Sequence, residues 1–227
     1  MQDRRIPGQA QGITQTQTGT SLDTSAATVL KNTYMLLGLT IAFSALVAFF
    51  SMSMPQPGLI ITLVGFYGLL FLTHKLQNSI WGIASTFALT GFMGYTLGPI
   101  IGMYAGAGAM GIVTDALGLT ALVFFGLSAY SLITKKDFSF LNGFVMVGFF
   151  VLLGATVLSL FTEISGLHLA ISCGFVLFSS AIILMQTSSI IHGGERNYIM
   201  ATVTLYVSIY NLFLSLLHIL TALNGDD

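Results

Sequence analysis

The chain has 227 residues, of which 55% are hydrophobic and only 7% charged, with a net charge of −1 and a mean hydropathy of +0.89. A soluble domain carries charge on about a quarter of its residues, so this composition excludes a surface built for water. Near neutrality argues against nucleic-acid binding or a polybasic lipid clamp.

Residues 1–31 are rich in Gln, Thr, Ser and Gly. Such a stretch buries too little apolar surface to offset the cost of ordering, and it is expected to be a flexible tail. No apolar stretch near the start makes a cleavable signal peptide, so the first apolar segment is expected to stay as an anchor.

Seven segments approach the ~20 apolar residues needed to cross a ~30 Å hydrocarbon core. They are 34–53, 59–73, 80–104, 112–133, 140–160, 167–188 and 198–220. The second is the shortest, with Pro57 just before it, where a helix start tolerates a missing N–H. Trp81 stands at the edge of the third, suited to the headgroup zone. The boundary between the third and fourth is blurred by the Gly- and Ala-rich run from Ala105 to Gly111, which leaves a re-entrant stretch open. Residues 223–227 form a short final tail.

All seven basic residues fall beside these segments. Arg4, Arg5 and Lys31 precede the first, Lys75 follows the second, Lys135 and Lys136 follow the fourth, and Arg196 follows the sixth. The gaps after segments one, three, five and seven hold no Lys or Arg, although Asp115, Glu163, Asp226 and Asp227 lie at or near them. Short positively charged loops stay on the cytoplasmic side. The pattern predicts seven crossings, with the amino terminus cytoplasmic and the carboxyl terminus outside. Backbone polar groups must be paired in lipid, and the alternation of a barrel strand is missing. The expected fold is an all-α integral membrane protein, a seven-transmembrane-helix bundle.

Two helix faces stand out. In the third segment Gly94, Gly98, Gly102 and Gly106 recur every four residues, with Thr86 and Thr90 extending the row. Small residues on one face let a neighbouring backbone come close. Gly98-Pro99 also admits a hinge, because Pro removes a backbone donor. In the seventh segment Asn197, Thr204, Ser208, Asn211, Ser215 and His218 fall within an arc of about 80° at 100° per residue, with Tyr206, Phe213 and Leu217 opposite. Facing lipid would be costly for this polar row, so it is expected to face the bundle interior. Ser172, Ser179 and Gln186 recur every seven residues in the sixth segment and offer a partner surface. The pair of rows suits either a hydrogen-bonded interface or a hydrated path for protons or cations. Charge within the sixth and seventh segments is missing, which weakens the path. His218, near the outer end of the seventh segment, is of a type that titrates around neutral pH.

Signatures of catalysis and metal binding are absent. There is no H-E-x-x-H and no phosphate-binding loop with its Lys. Gly126-Leu127-Ser128-Ala129-Tyr130 lacks the second Gly of a nucleophile elbow. The four His are scattered, and the single Cys173 excludes an internal disulfide or a cysteine cluster. Gly193-Gly194 reads as a turn or helix end. No catalytic residue, cofactor or metal is expected.

The run Ile191-His192-Gly193-Gly194-Glu195-Arg196-Asn197-Tyr198-Ile199, followed by Leu205-Tyr206-Val207 and Asn211-Leu212-Phe213, resembles the Bax-inhibitor (TMBIM) membrane-protein family. Lys135-Lys136-Asp137-Phe138-Ser139-Phe140-Leu141 and Leu97-Gly98-Pro99 match two further motifs of that family in the right order. The resemblance spans about residues 30 to 222 and is greatest to a bacterial inner-membrane branch. That branch is associated with the membrane-anchored AAA protease FtsH, which it binds and restrains. The resemblance implies a non-enzymatic protein of the bacterial inner membrane with FtsH and the lipid bilayer as partners. An ion, proton or calcium leak through segments six and seven is the alternative it suggests. Many members carry an acidic pair on those helices, and the matching positions here are Gln186 and Ser208. Neither titrates, so a coupled carboxylate latch cannot work in its usual form, and the leak is the weaker expectation.

Overall fold

The computed structural model describes residues 24–162, 164 and 166–225. The expectations for Arg4, Arg5, Glu163, Asp226, Asp227 and the first 23 residues lie outside these. Among the described residues seven helices follow in order: α1 Thr24–Ser51, α2 Leu59–Leu76, α3 Trp81–Gly106, α4 Met110–Thr134, α5 Leu141–Ser159, α6 Leu167–Ile191 and α7 Tyr198–Asn224.

All the helices except α3 are long and apolar enough to cross a bilayer. The 26 residues of α3 span about 39 Å at 1.5 Å per residue, so its length suffices. Its lower apolarity follows from its place in the bundle. Its buried residues include Ser85, Thr86, Thr90, Gly91, Gly94, Thr96 and Gly98, and a helix covered by neighbours need not present an apolar surface to lipid.

α7 is the centre of the bundle and packs against α1, α3, α4 and α6. α1 pairs with α3, and α4 with α6. α2 leans chiefly on α3 and α5 chiefly on α6. Those two are the edge helices: Thr73 is the one buried residue of α2, and Leu152 that of α5. The core gathers Leu37, Leu89, Ile183, Leu205 and Leu212 from α1, α3, α6 and α7. A second cluster joins Val113 and Ala116 of α4 to Phe213 and Leu217 of α7.

The glycine row of α3 meets α1. A Cβ at Gly94 would stand 2.8 Å from Ser44 Oγ, one at Gly98 2.5 Å from the Ala48 carbonyl oxygen, and one at Gly102 3.0 Å from the Met52 carbonyl carbon. These are backbone or buried atoms with nowhere to move, so the absence of a side chain sets the α1–α3 spacing. Gly106 lies beyond this contact, with nothing within 4 Å of its Cβ position. Pro99 sits inside α3 without ending it.

Helix ends run past the apolar segments. α1 begins at Thr24, so residues 24–31, expected to belong to the tail, are helical. Ala26 and Thr33 are buried there, and the Thr33 carbonyl accepts from Thr202 Oγ1 at 3.2 Å, docking the early turns on α7. The uncertain boundary after α3 is a short turn through Ala107, Gly108 and Ala109, with Gly108 at φ +72°. There is no room in it for a re-entrant stretch. After α6, Gly193 adopts φ +73°, and the N–H groups of His192 and Gly193 return to the Ser188 and Ile190 carbonyls. This ends the helix as Gly193-Gly194 suggested.

Candidate functional site

The polar row of α7 divides into a cap, a cleft and a rim. Asn197 is the N-cap. Its Oδ1 accepts from the N–H of Ile199 at 3.0 Å and of Met200 at 3.2 Å. Its Nδ2 donates to the Gln77 carbonyl at 3.1 Å and to Asn78 Oδ1 at 3.0 Å. This residue therefore ties the start of α7 to the α2–α3 connection, outside the row further along the helix. Glu195 accepts from the Asn197 N–H at 2.7 Å, completing the turn.

Further along, Thr204 and Ser208 line a cavity of 740 Å³ between α2, α6 and α7, with Met200 and His74 near its end. Ser208 and Asn211 line a central cavity of 600 Å³ whose walls come from α2 and α5 and whose floor comes from α3, α6 and α7. Asn211, Ser215 and His218 line a third, of 560 Å³, between α5, α6 and α7. Neighbouring cavities share residues: Ser208 and Ile182 border the first two, Asn211 and Thr156 the last two. They form one cleft along α7. Ser215 is buried and His218 exposed.

The α6 row contributes two of its three members to this cleft. Ser172 lines the cavity near His218 and donates to the His168 carbonyl at 2.9 Å. Ser179 lines the central cavity. It is 1% exposed, and its Oγ has no hydrogen-bond partner. Gln186 is buried with its Nε2 unpartnered and lines none of these three cavities. Ser208 donates to the Thr204 carbonyl at 2.8 Å, so the positions matching the family's acidic pair are not hydrogen-bonded to each other.

The side of α7 opposite the polar row is not a lipid face. Tyr206, Phe213 and Leu217 are buried, because α1, α3 and α4 cover that side as α6 covers the other. Tyr206 makes the central polar contact there: it pairs with Ser44 of α1 and donates to the Thr90 carbonyl of α3 at 3.2 Å. Three further tyrosines link helices through hydroxyls: Tyr210 to Thr96 at 3.0 Å, Tyr104 to Thr221 at 2.7 Å and Tyr34 to Thr187 at 3.4 Å. The four-residue step from Tyr206 to Tyr210 is the sequence signal for the two on α7, and it is hidden when tyrosine counts as apolar in a periodicity.

The Gln186-Thr187-Ser188 motif has a structural role at its far end. Ser188 Oγ accepts from the Phe138 N–H at 3.1 Å and donates to the Lys136 carbonyl at 3.0 Å, clamping the α4–α5 loop onto α6. Within that loop Asp137 accepts from the Ser139 N–H at 2.8 Å. This bond holds its carboxyl below the ordinary carboxylate value, with a further contribution from the Ser139 side chain.

Among the described residues no three His, Cys, Asp or Glu side chains gather in a metal-binding group. The cleft is lined by hydroxyls, one amide and the imidazoles of His74, His168 and His218 between apolar walls. It can hydrogen-bond to a neighbour and pack against it.

Helices of this length and apolarity around a central one define an integral membrane helical bundle. Residues 26–225 match the family described as "Inhibitor of apoptosis-promoting Bax1", and the chain belongs to that Bax-inhibitor family. It is 57% identical over 200 residues to the "Modulator of FtsH protease YccA" of Escherichia coli K12, covering 87% of this chain and 91% of the relative. The "Inner membrane protein YccA" of Escherichia coli O6:H1 matches to the same extent. The "Uncharacterized protein PA2604" of Pseudomonas aeruginosa is 68% identical over 202 residues, covering 88% of this chain and 91% of its own length. The protein is accordingly a bacterial inner-membrane protein of the branch expected from its motifs.

Proposed function

We propose that this protein is a non-enzymatic modulator that binds the membrane-anchored AAA protease FtsH and restrains it. The observation that carries this reading is the 57% identity to a modulator of that protease along 200 residues. The bundle crosses the membrane seven times, with its amino terminus cytoplasmic and its carboxyl terminus periplasmic. The sidedness of the basic residues supports this topology.

The physical picture is competitive. Residues 1–23 offer the protease a cytoplasmic handle, while the bundle resists extraction. The close α1–α3 contact at Gly94 and Gly98 and the tyrosine bridges from α7 support that resistance. An engaged but slowly pulled client occupies the enzyme and spares other membrane substrates. Ser172, Ser179, Thr204, Ser208, Asn211, Ser215 and His218 serve as a polar binding and packing surface in this reading, and Gln186 as a buried spacer at a position where many relatives carry an acid.

Deleting residues 1–23 tests the handle. FtsH co-purification and the chain's own turnover by the protease are both expected to fall. Unchanged values for both would remove the tail from the mechanism.

A further inference from the structure

The fold brings together two of the four histidines. His168 is the second residue of α6 and His218 the twenty-first of the 27 in α7. Far apart in the chain, they line the same 560 Å³ cavity between α5, α6 and α7, at the end of the bundle away from Lys75, Lys135, Lys136 and Arg196. Both side chains are exposed, and the two rings are close enough to interact electrostatically. Among the described residues neither ring has a hydrogen-bond partner. The other two histidines are engaged near their own helix ends: His74 Nδ1 with Gln77 at 3.4 Å, and His192 Nδ1 with the Ser188 carbonyl at 2.9 Å.

We propose that His168 and His218 together bind one divalent transition-metal ion of the zinc, copper and nickel class. The site is separate from the association with FtsH and does not rest on it.

A neutral imidazole carries a nitrogen lone pair, and imidazole is the ligand that suits these ions. Ser215 lies one turn further in from His218 on the same face, lines the cavity and has no hydrogen-bond partner among the described residues. Its hydroxyl is placed to bond a metal-bound water. Asn211 is seven residues from His218, about 10 Å along the helix, and is too deep to reach the ion. Two nitrogens are half the ligand set of a structural zinc site, so water completes the coordination and the ion exchanges.

An anion fits this place less well. None of the described residues lining the cavity is Lys or Arg, the side chains that pair with phosphate and carboxylate. The amino end of α6 does favour negative charge, but it opposes a cation by only about five-fold in affinity. Losing even an outer hydrogen-bond partner of a metal ligand costs about ten-fold or more, so two direct ligands outweigh that opposition.

The test uses the full chain, purified in detergent without a histidine tag and stripped of metal. Zn²⁺ is titrated calorimetrically, and Cu²⁺ is followed by electron paramagnetic resonance. One ion per chain is expected, with nitrogen splitting from two imidazoles. His168→Ala and His218→Ala are each expected to weaken zinc binding at least about ten-fold, and His192→Ala, at the other end of α6, to leave it unchanged. The splitting is read on the unmodified protein, so a variant that misfolds cannot imitate it. Failure to bind zinc, splitting from fewer than two nitrogens, or binding lost with His192→Ala but kept in the other two variants would overturn the site.

Discussion

At Gly98 the hydrogen in place of a side chain sets the distance between two helices. The four-residue spacing of Gly94, Gly98, Gly102 and Gly106 was legible in the sequence, because small residues at helical period announce a contact face. The facing side carries a fainter form of the same signal: α1 meets the row with Ser44, Ala48, Ser51 and Met52, and Thr40, Ser44 and Ala48 are small residues four apart. Gly98→Ala is expected to destabilise the purified protein by about 1–3 kcal/mol, the usual cost of overpacking. Gly106→Ala should stay within about 0.5 kcal/mol of wild type, as substitutions away from packed features do. Thermal unfolding of the two variants in detergent separates them, and equal losses would contradict the contact. Tyr206→Phe tests the polar centre of the bundle. Removing a hydroxyl that bridges Ser44 and Thr90 should cost about 1–2 kcal/mol, the sum of two modest net hydrogen bonds, read in the same melting experiment.

Among the elements, α7 holds more than its polar arc announces. The arc implies that its own side faces the bundle interior and says nothing of the opposite side. The structure surrounds the helix, and Tyr206, Phe213 and Leu217 pack as deeply as Ser208. Periodicity reports where polar residues gather, and in a membrane the opposite apolar side packs equally well on lipid or protein. Helix ends were also only partly legible. Apolarity stops near the bilayer edge, whereas hydrogen bonding carries α1 back to Thr24, α6 on to Ile191 and α7 on to Asn224. Asn197 shows the same effect, since an amide one residue before a helix reads as part of its polar row until cap geometry is seen. Asn197→Ala should cost about 1–2 kcal/mol, combining a lost cap with lost bonds to Gln77 and Asn78. Asn197→Asp keeps the acceptor and should recover the cap share alone. Equal stability of the Ala variant and wild type in thermal unfolding would exclude this role.

The whole molecule is organised by which helices lipid can reach. α2 and α5 stand at the edge and read as strongly apolar, while α3 is covered and reads as the least membrane-like. Hydropathy therefore understates a helix whose small and polar residues are covered by neighbours. Sidedness can be tested with single cysteines at Asn78, Ala107 and Thr162 in a Cys173→Ser background. Asn78 should label only from the cytoplasm, and Ala107 and Thr162 only from the periplasm. Labelling of Asn78 and Ala107 from one side would break the proposed topology. The most direct measurement of the central claim is reconstitution with purified FtsH and a membrane-anchored client in one bilayer. Restraint predicts that client degradation slows as this chain is added, in proportion to the fraction bound to the protease. Client degradation at an unchanged rate, with no complex recovered, would contradict it.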